Sequence, residues 1–318
     1  MQTMRPPGVP GTWPAGLRHL LVPLDGSWLA ESALPPAAGF ADRFGARVTA
    51  LHVLEPHGPA AIHGDRHLRG RGEAEAYLAG IREWFAERGI AVDAALREAR
   101  DDDVAATIAG AAVELGADLV ILAAHGSRGV RGLLYGRIGQ QVLAHAAMPV
   151  LLVPASARAR RGAFDCRRLM LPLDGSAAAE QALPAAVAVA RAFDARVLLA
   201  RVVQTPGALI GALADDRAPA ARLMPTAAAA MLELEEQEAA RYLVAVQARL
   251  EADGVAAETA VARGDPADVV PQLVAESRVD LLVLPTHGRA GAAAVWAGSV
   301  AARTIERSEK PMLLVKVE

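Results

Sequence analysis

Residues 18–48 read RHLLVPLDGSWLAESALPPAAGFADRFGARV, and residues 167–197 read RRLMLPLDGSAAAEQALPAAVAVARAFDARV. The two stretches align without a gap, and roughly half of their positions are identical, far above chance for an internal repeat. A second matched pair lies further on: 116–153, GADLVILAAHGSRGVRGLLYGRIGQQVLAHAAMPVLLV, and 278–315, RVDLLVLPTHGRAGAAAVWAGSVAARTIERSEKPMLLV. The chain is therefore a tandem duplication. Its copies differ mainly in the middle, where the second carries about a dozen extra residues around 204–230.

Each copy has the same order of elements. An apolar run (20–24, 169–173) stops at Asp-Gly-Ser and leads into an alanine-rich amphipathic stretch. A β-branched run follows (48–54, 197–203), then a helix (73–88, 232–253) and a short strand (91–97, 256–262). A further helix leads to a continuous apolar run (118–123, 280–284), and a last helix leads to the final strand (149–153, 311–317). Strands that alternate with helices and are apolar on both faces predict a parallel sheet covered on both sides. Each copy is thus expected to be a doubly wound α/β domain. The expected boundaries are a flexible tail at 1–16, domains at 17–154 and 167–318, and a linker at 155–166. Ligands of such folds sit beyond the carboxyl ends of the strands.

Composition narrows the function. The chain has 318 residues, 53% hydrophobic and 22% charged, so it can bury a full core. A net charge of −3 gives no general attraction to nucleic acid or to an anionic membrane. The single cysteine, Cys166, excludes an internal disulfide framework and a four-cysteine zinc site. No apolar stretch is long enough to cross a bilayer; Pro184 and Arg191 break the best candidate. The opening MQTMRPPGVPGTWPAG lacks the apolar region of a signal peptide, so a cytoplasmic location is expected.

Common nucleotide motifs are missing. The lysines are Lys310 and Lys316, both at the final strand, which leaves none for a P-loop. No G-x-G-x-x-G follows the first strand of either copy, and there is no G-x-S-x-G elbow. What remains is Thr286-His287-Gly288, nine further residues, and Gly298-Ser299 opening the last helix. Glycines admit close backbone approach, and a helix N-terminus with a serine hydroxyl suits a phosphate. An ordinary loop with a serine helix cap has the same pattern.

These residues resemble the universal stress protein family in tandem form. The likeness rests on VPLDGS and LPLDGS at the first strand, LHV at the second, AAHG and PTHG after the fourth, AGSV before the last helix, and PVLLV and PMLLV at the end. It implies a Rossmann-like, adenine nucleotide alpha hydrolase-like fold, with the two domains forming an internal pseudo-dimer. Final strands 150–153 and 312–317 would pair within one chain and so cover otherwise exposed edges; a homodimer through other surfaces stays open. Nucleotide-binding members carry G-x2-G-x9-G-[ST]. In the second copy Gly288, Gly298 and Ser299 match, and Pro285 replaces the first glycine, removing one N–H. In the first copy Gly126 and Gly136 match, while Ala123 and Arg137 replace the first glycine and the hydroxyl residue.

The resemblance therefore implies ATP, with or without Mg, held mainly by the second domain. Its implied cofactor-binding set is Pro172, Asp174, Val202, Gly264, His287, Gly288, Gly298, Ser299 and Val300, with no catalytic or metal-ligating residues. Asp174 and Val202 would serve the adenosine part. The first-domain counterparts are Asp25, Val53, Gly126 and Gly136; there Asp101, Asp102 and Asp103 add like charge that disfavours a polyphosphate. The expected function is a stress response in which nucleotide occupancy alters contacts to a protein partner. A nucleotide-independent scaffold is the alternative. A slow ATPase or nucleotidyl-transfer enzyme is a further one, for which Asp265 and Asp268 are the nearby carboxylates.

Other residues have plainer readings. His125 and His287 are expected to order their loops through backbone hydrogen bonds. His57, His63 and His67 read as a surface loop rather than a metal site, and Arg158, Arg160, Arg161, Arg167 and Arg168 as a solvated linker. Residues 208–230 read as a mobile insert.

Overall fold

The structure, a computed structural model, describes residues 13–56, 58, 61–62, 65–100, 103–124, 137–155, 162–205, 225–287, 304 and 308–317. By packing, the chain divides into two units. The first holds the described residues of Met1–Asp165 together with those of Pro285–Val295 and Glu309–Glu318; the second holds those of Cys166–Leu284 and Trp296–Ser308.

In the first unit the elements run β1 His19–Pro23, α1 Leu34–Phe44, β2 Arg47–Leu54, a minimal hairpin of β3 Ala61–Ile62 and β4 Asp65–Arg66, and α2 Arg71–Ala86. There follow β5 Val92–Glu98, α3 Val104–Leu115, β6 Leu119–Ala124, α4 Arg137–His145 and β7 Val150–Pro154. The main strands lie parallel in the order β5-β2-β1-β6-β7. β12, Met312–Val317, extends that sheet antiparallel to β7, with Met312 opposite Leu152 and Leu314 opposite Val150. The pairing expected between the two final strands is present, and it places the last strand of the second repeat in the first packing unit. All six residues of β6 are buried, as expected for a parallel strand covered on both faces.

In the second unit β8 is Arg168–Pro172, α5 Ala177–Glu180, α6 Leu183–Phe193 and β9 Arg196–Val203. α7 is Pro225–Ala252, β10 Ala257–Arg263, α8 Pro266–Glu276 and β11 Leu281–His287, of which 285–287 fall in the first unit. The strands pair in parallel as β10-β9-β8-β11. Residues 225–230, expected in the insert, begin α7 instead: Pro225 sits at its first position, where a missing N–H costs nothing. The rest of the insert, 208–224, lies outside the described residues.

An acidic staple explains one repeat feature. Asp118 Oδ2 accepts from the backbone N–H groups of Arg18 at 2.8 Å and His19 at 3.1 Å. Asp280 Oδ2 does the same for Arg167 at 2.9 Å and Arg168 at 3.1 Å. In each unit one carboxylate satisfies the donors that lead into the first strand. Arg167 and Arg168 are therefore strand-entry residues rather than linker. Arg168 also pairs with Glu258, which Arg196 reaches from the same end of the sheet.

Trp13, ahead of the first repeat, lies 6.3 Å from the ring of Phe44. No helix among the described residues is long and apolar enough to cross a membrane.

Candidate functional site

The two copies of Asp-Gly-Ser form matching turns after β1 and β8. Asp25 Oδ1 accepts from the Ser27 N–H at 2.8 Å and from its hydroxyl at 2.6 Å. Asp174 Oδ1 accepts from the Ser176 N–H at 2.8 Å. Ser176 Oγ in turn accepts from the Ala179 N–H and caps α5. The glycine between has φ of +87° at Gly26 and +88° at Gly175, which an L side chain rarely adopts. The turn fixes the aspartate at the carboxyl edge of the sheet, where doubly wound folds take their ligands.

What covers each turn differs. In the first unit a strap of residues 65–69 crosses it. A Cβ on Gly26 would fall 2.6 Å from Cδ1 of Leu68, and the Trp28 N–H donates to Asp65 at 2.9 Å. The His52 ring, fully buried, bridges turn and strap, with Nδ1 2.8 Å from the Leu24 carbonyl oxygen and Nε2 3.1 Å from that of Leu68. A neutral ring donates to one of these at a time. His67, within the strap, is 3% exposed, with Nε2 3.6 Å from Glu55, so the surface-loop expectation fails for it: its imidazole is buried. His57 and His63 lie outside the described residues. In this unit Asp25 is half-buried and Val53 buried.

The second unit has no such strap among its described residues. Asp174 is exposed, and Pro172 and Val202 are half-buried. The group over Gly175 is the end of one long side chain: a Cβ there would fall 3.1 Å from the first terminal nitrogen (Nη1) of Arg201. Arg201 stands one residue before Val202 at the end of β9, where the first copy has His52. Its Cζ lies 5.4 Å from the ring centre of Tyr242 on α7. The Tyr242 hydroxyl donates to Glu180 Oε1 at 3.1 Å, and Arg249 donates to Glu180 Oε2 at 2.7 Å. Burial, then the Glu180 hydrogen bond, pushes the Tyr242 phenol well above its usual range, so it stays protonated. Arg201, Tyr242 and Glu180 were not among the sequence-derived site residues. The charged Arg201 inside an apolar β-branched run was the available signal.

After β10, Gly264 has φ of +135°, and a Cβ on it would fall 2.9 Å from a Val269 methyl. Asp265 then caps α8 by accepting from the Ala267 N–H at 2.9 Å. Asp103 caps α3 likewise, through the Ala106 N–H, so this carboxylate is engaged by its own helix. Asp101 and Asp102 lie outside the described residues. β11 runs to His287, in parallel register with β8 through Leu281–Leu169 and Leu282–Met170. Gly126, Gly136, Gly288, Gly298, Ser299 and Val300, and the histidine His125, lie outside the described residues, as does the His287 side chain. No cluster of three or more His, Cys, Asp or Glu that could hold a metal stands among the described residues.

Repeated parallel α/β units with an aspartate turn at the carboxyl edge define a doubly wound α/β protein. The chain belongs to the universal stress protein family, which matches it twice, over residues 16–154 and 166–316. A universal stress protein of Methanocaldococcus jannaschii is 29% identical over 158 residues, covering 49% of this chain and 86% of that protein. Among solved structures, a universal stress protein from Archaeoglobus fulgidus is similar at a TM-score of 0.65 and 14% identity, covering 95% of this chain and 97% of its own. One from Pseudomonas aeruginosa, described as a putative universal stress protein, has a TM-score of 0.65 at 16% identity, covering 95% and 94%.

Proposed function

We propose that the protein is a cytoplasmic stress-response protein that binds one adenine nucleotide, ATP, in its second domain, and that occupancy alters its contacts to a protein partner. Asp174, Pro172 and Val202 take the adenosine part. Gly264, His287 and the segment with Gly288, Gly298, Ser299 and Val300 take the phosphates, with Mg where a polyphosphate needs its charge neutralised. The observation that carries this reading is the difference between the two turns. Among the described residues Gly26 lies under Leu68 of the strap, whereas Gly175 lies under the end of the Arg201 side chain beside an exposed Asp174. A guanidinium on a long stem moves aside at small cost, but a packed strap does not.

The test is to denature the purified protein, release what it carries, and identify it by mass spectrometry. ATP or AMP near one equivalent per chain is the expected result. A protein that is empty and also fails to bind added ATP in calorimetry would favour the nucleotide-independent scaffold.

A further inference from the structure

Resting on that reading, we propose that Arg201, backed by Tyr242, determines specificity at the nucleoside end of the second site by lying flat against the purine base. Three observations converge on this residue. Its guanidinium lies across the Gly175 backbone: the place of a glycine Cβ is 3.1 Å from Nη1, 3.3 Å from Cζ and 3.4 Å from Nη2. Its Cζ lies 5.4 Å from the centre of the Tyr242 ring, within the roughly 6 Å over which a cation is attracted to an aromatic ring. That ring is itself held, because the phenol donates to Glu180 and Arg249 neutralises the same carboxylate.

Charge completes the case. Among the described residues Arg249 takes Glu180 and Arg263 takes Glu236, while Arg201 makes no salt bridge. A planar, weakly hydrated cation beside an aspartate turn suits a flat, electron-rich base better than it suits water. The first unit has no counterpart, since the buried His52 ring stands at that position, between the carbonyl oxygens of Leu24 and Leu68.

The experiment titrates the full chain, and its Arg201→Ala and Arg201→Lys variants, with adenosine and separately with ATP, after checking that each variant keeps the wild-type urea midpoint. Both variants are expected to weaken both ligands by the same factor, about tenfold, because lysine keeps the charge but loses the plane. A loss for ATP with none for adenosine would overturn the inference in favour of a phosphate contact, and full rescue by lysine or unchanged affinities would overturn it as well. Those results leave wild-type binding intact and so spare the nucleotide reading. A wild-type chain that binds neither ligand removes both.

Discussion

Leu68 occupies the space that any side chain at Gly26 would need, with 2.6 Å between Cδ1 and the place of the glycine Cβ. Gly26 is thus constrained twice, by its φ of +87° and by its neighbour. Gly45, which caps α1 at φ of +62°, has nothing within 4 Å and is constrained only by its backbone. Gly26→Ala should therefore cost more than Gly45→Ala, by about 1–3 kcal/mol. Leu68→Ala should recover part of that difference in a double-mutant cycle read by urea unfolding. Equal costs for the two glycine substitutions would show that Leu68 does not press on the turn.

The Asp118 staple gives a second prediction. Asp118 is 7% exposed and its carboxylate accepts from two backbone donors, so Asp118→Ala leaves both without this partner. The expected loss is about 2–4 kcal/mol. Asp118→Asn, which keeps one acceptor oxygen, should lose roughly half as much by the same urea measurement. An alanine variant within about 0.5 kcal/mol of wild type would refute the staple.

Acid should weaken the first unit through His19. This ring is buried, with Nε2 2.8 Å from Thr49 Oγ1 and Nδ1 3.0 Å from an Arg47 nitrogen and 3.1 Å from the Leu115 carbonyl oxygen. Burial and then the Arg47 charge lower its pKa below the ordinary 6.5, and the Leu115 and Gly116 backbone groups and Asp118 oppose them. Between the lowered native value and 6.5 the unfolded chain binds more protons, so stability rises with pH in that window. The contribution is complete above 6.5 and is lost as pH falls toward the native value. Urea midpoints should drop from pH 7.5 to 5.5 in the wild type and drop less in His19→Gln; parallel slopes would remove His19 as the cause.

Much of the fold is legible because a buried parallel strand leaves a continuous apolar run. The runs at 118–123 and 149–153 fall within one residue of β6 and β7. The duplication itself exposes the aspartate turns, since only those positions keep DGS in both copies. The strap is not legible: His67 and Leu68 sit in a segment without periodicity, and nothing local says that they fold back over Gly26. The start of α7 was obscured by alanine and proline, although Pro225 at its first position is a recognised helix opening. Arg201 and Tyr242 are 41 residues apart in sequence, and only the packing of α7 on β9 brings them together.

The central claim is that one nucleotide binds, in the second domain. Calorimetric titration of the full chain with ATP, in parallel with Gly298→Arg and with Gly136→Arg, tests it most directly. One site per chain is predicted, abolished by Gly298→Arg and untouched by Gly136→Arg. Two sites per chain, or a single site lost with Gly136→Arg and kept with Gly298→Arg, would contradict it.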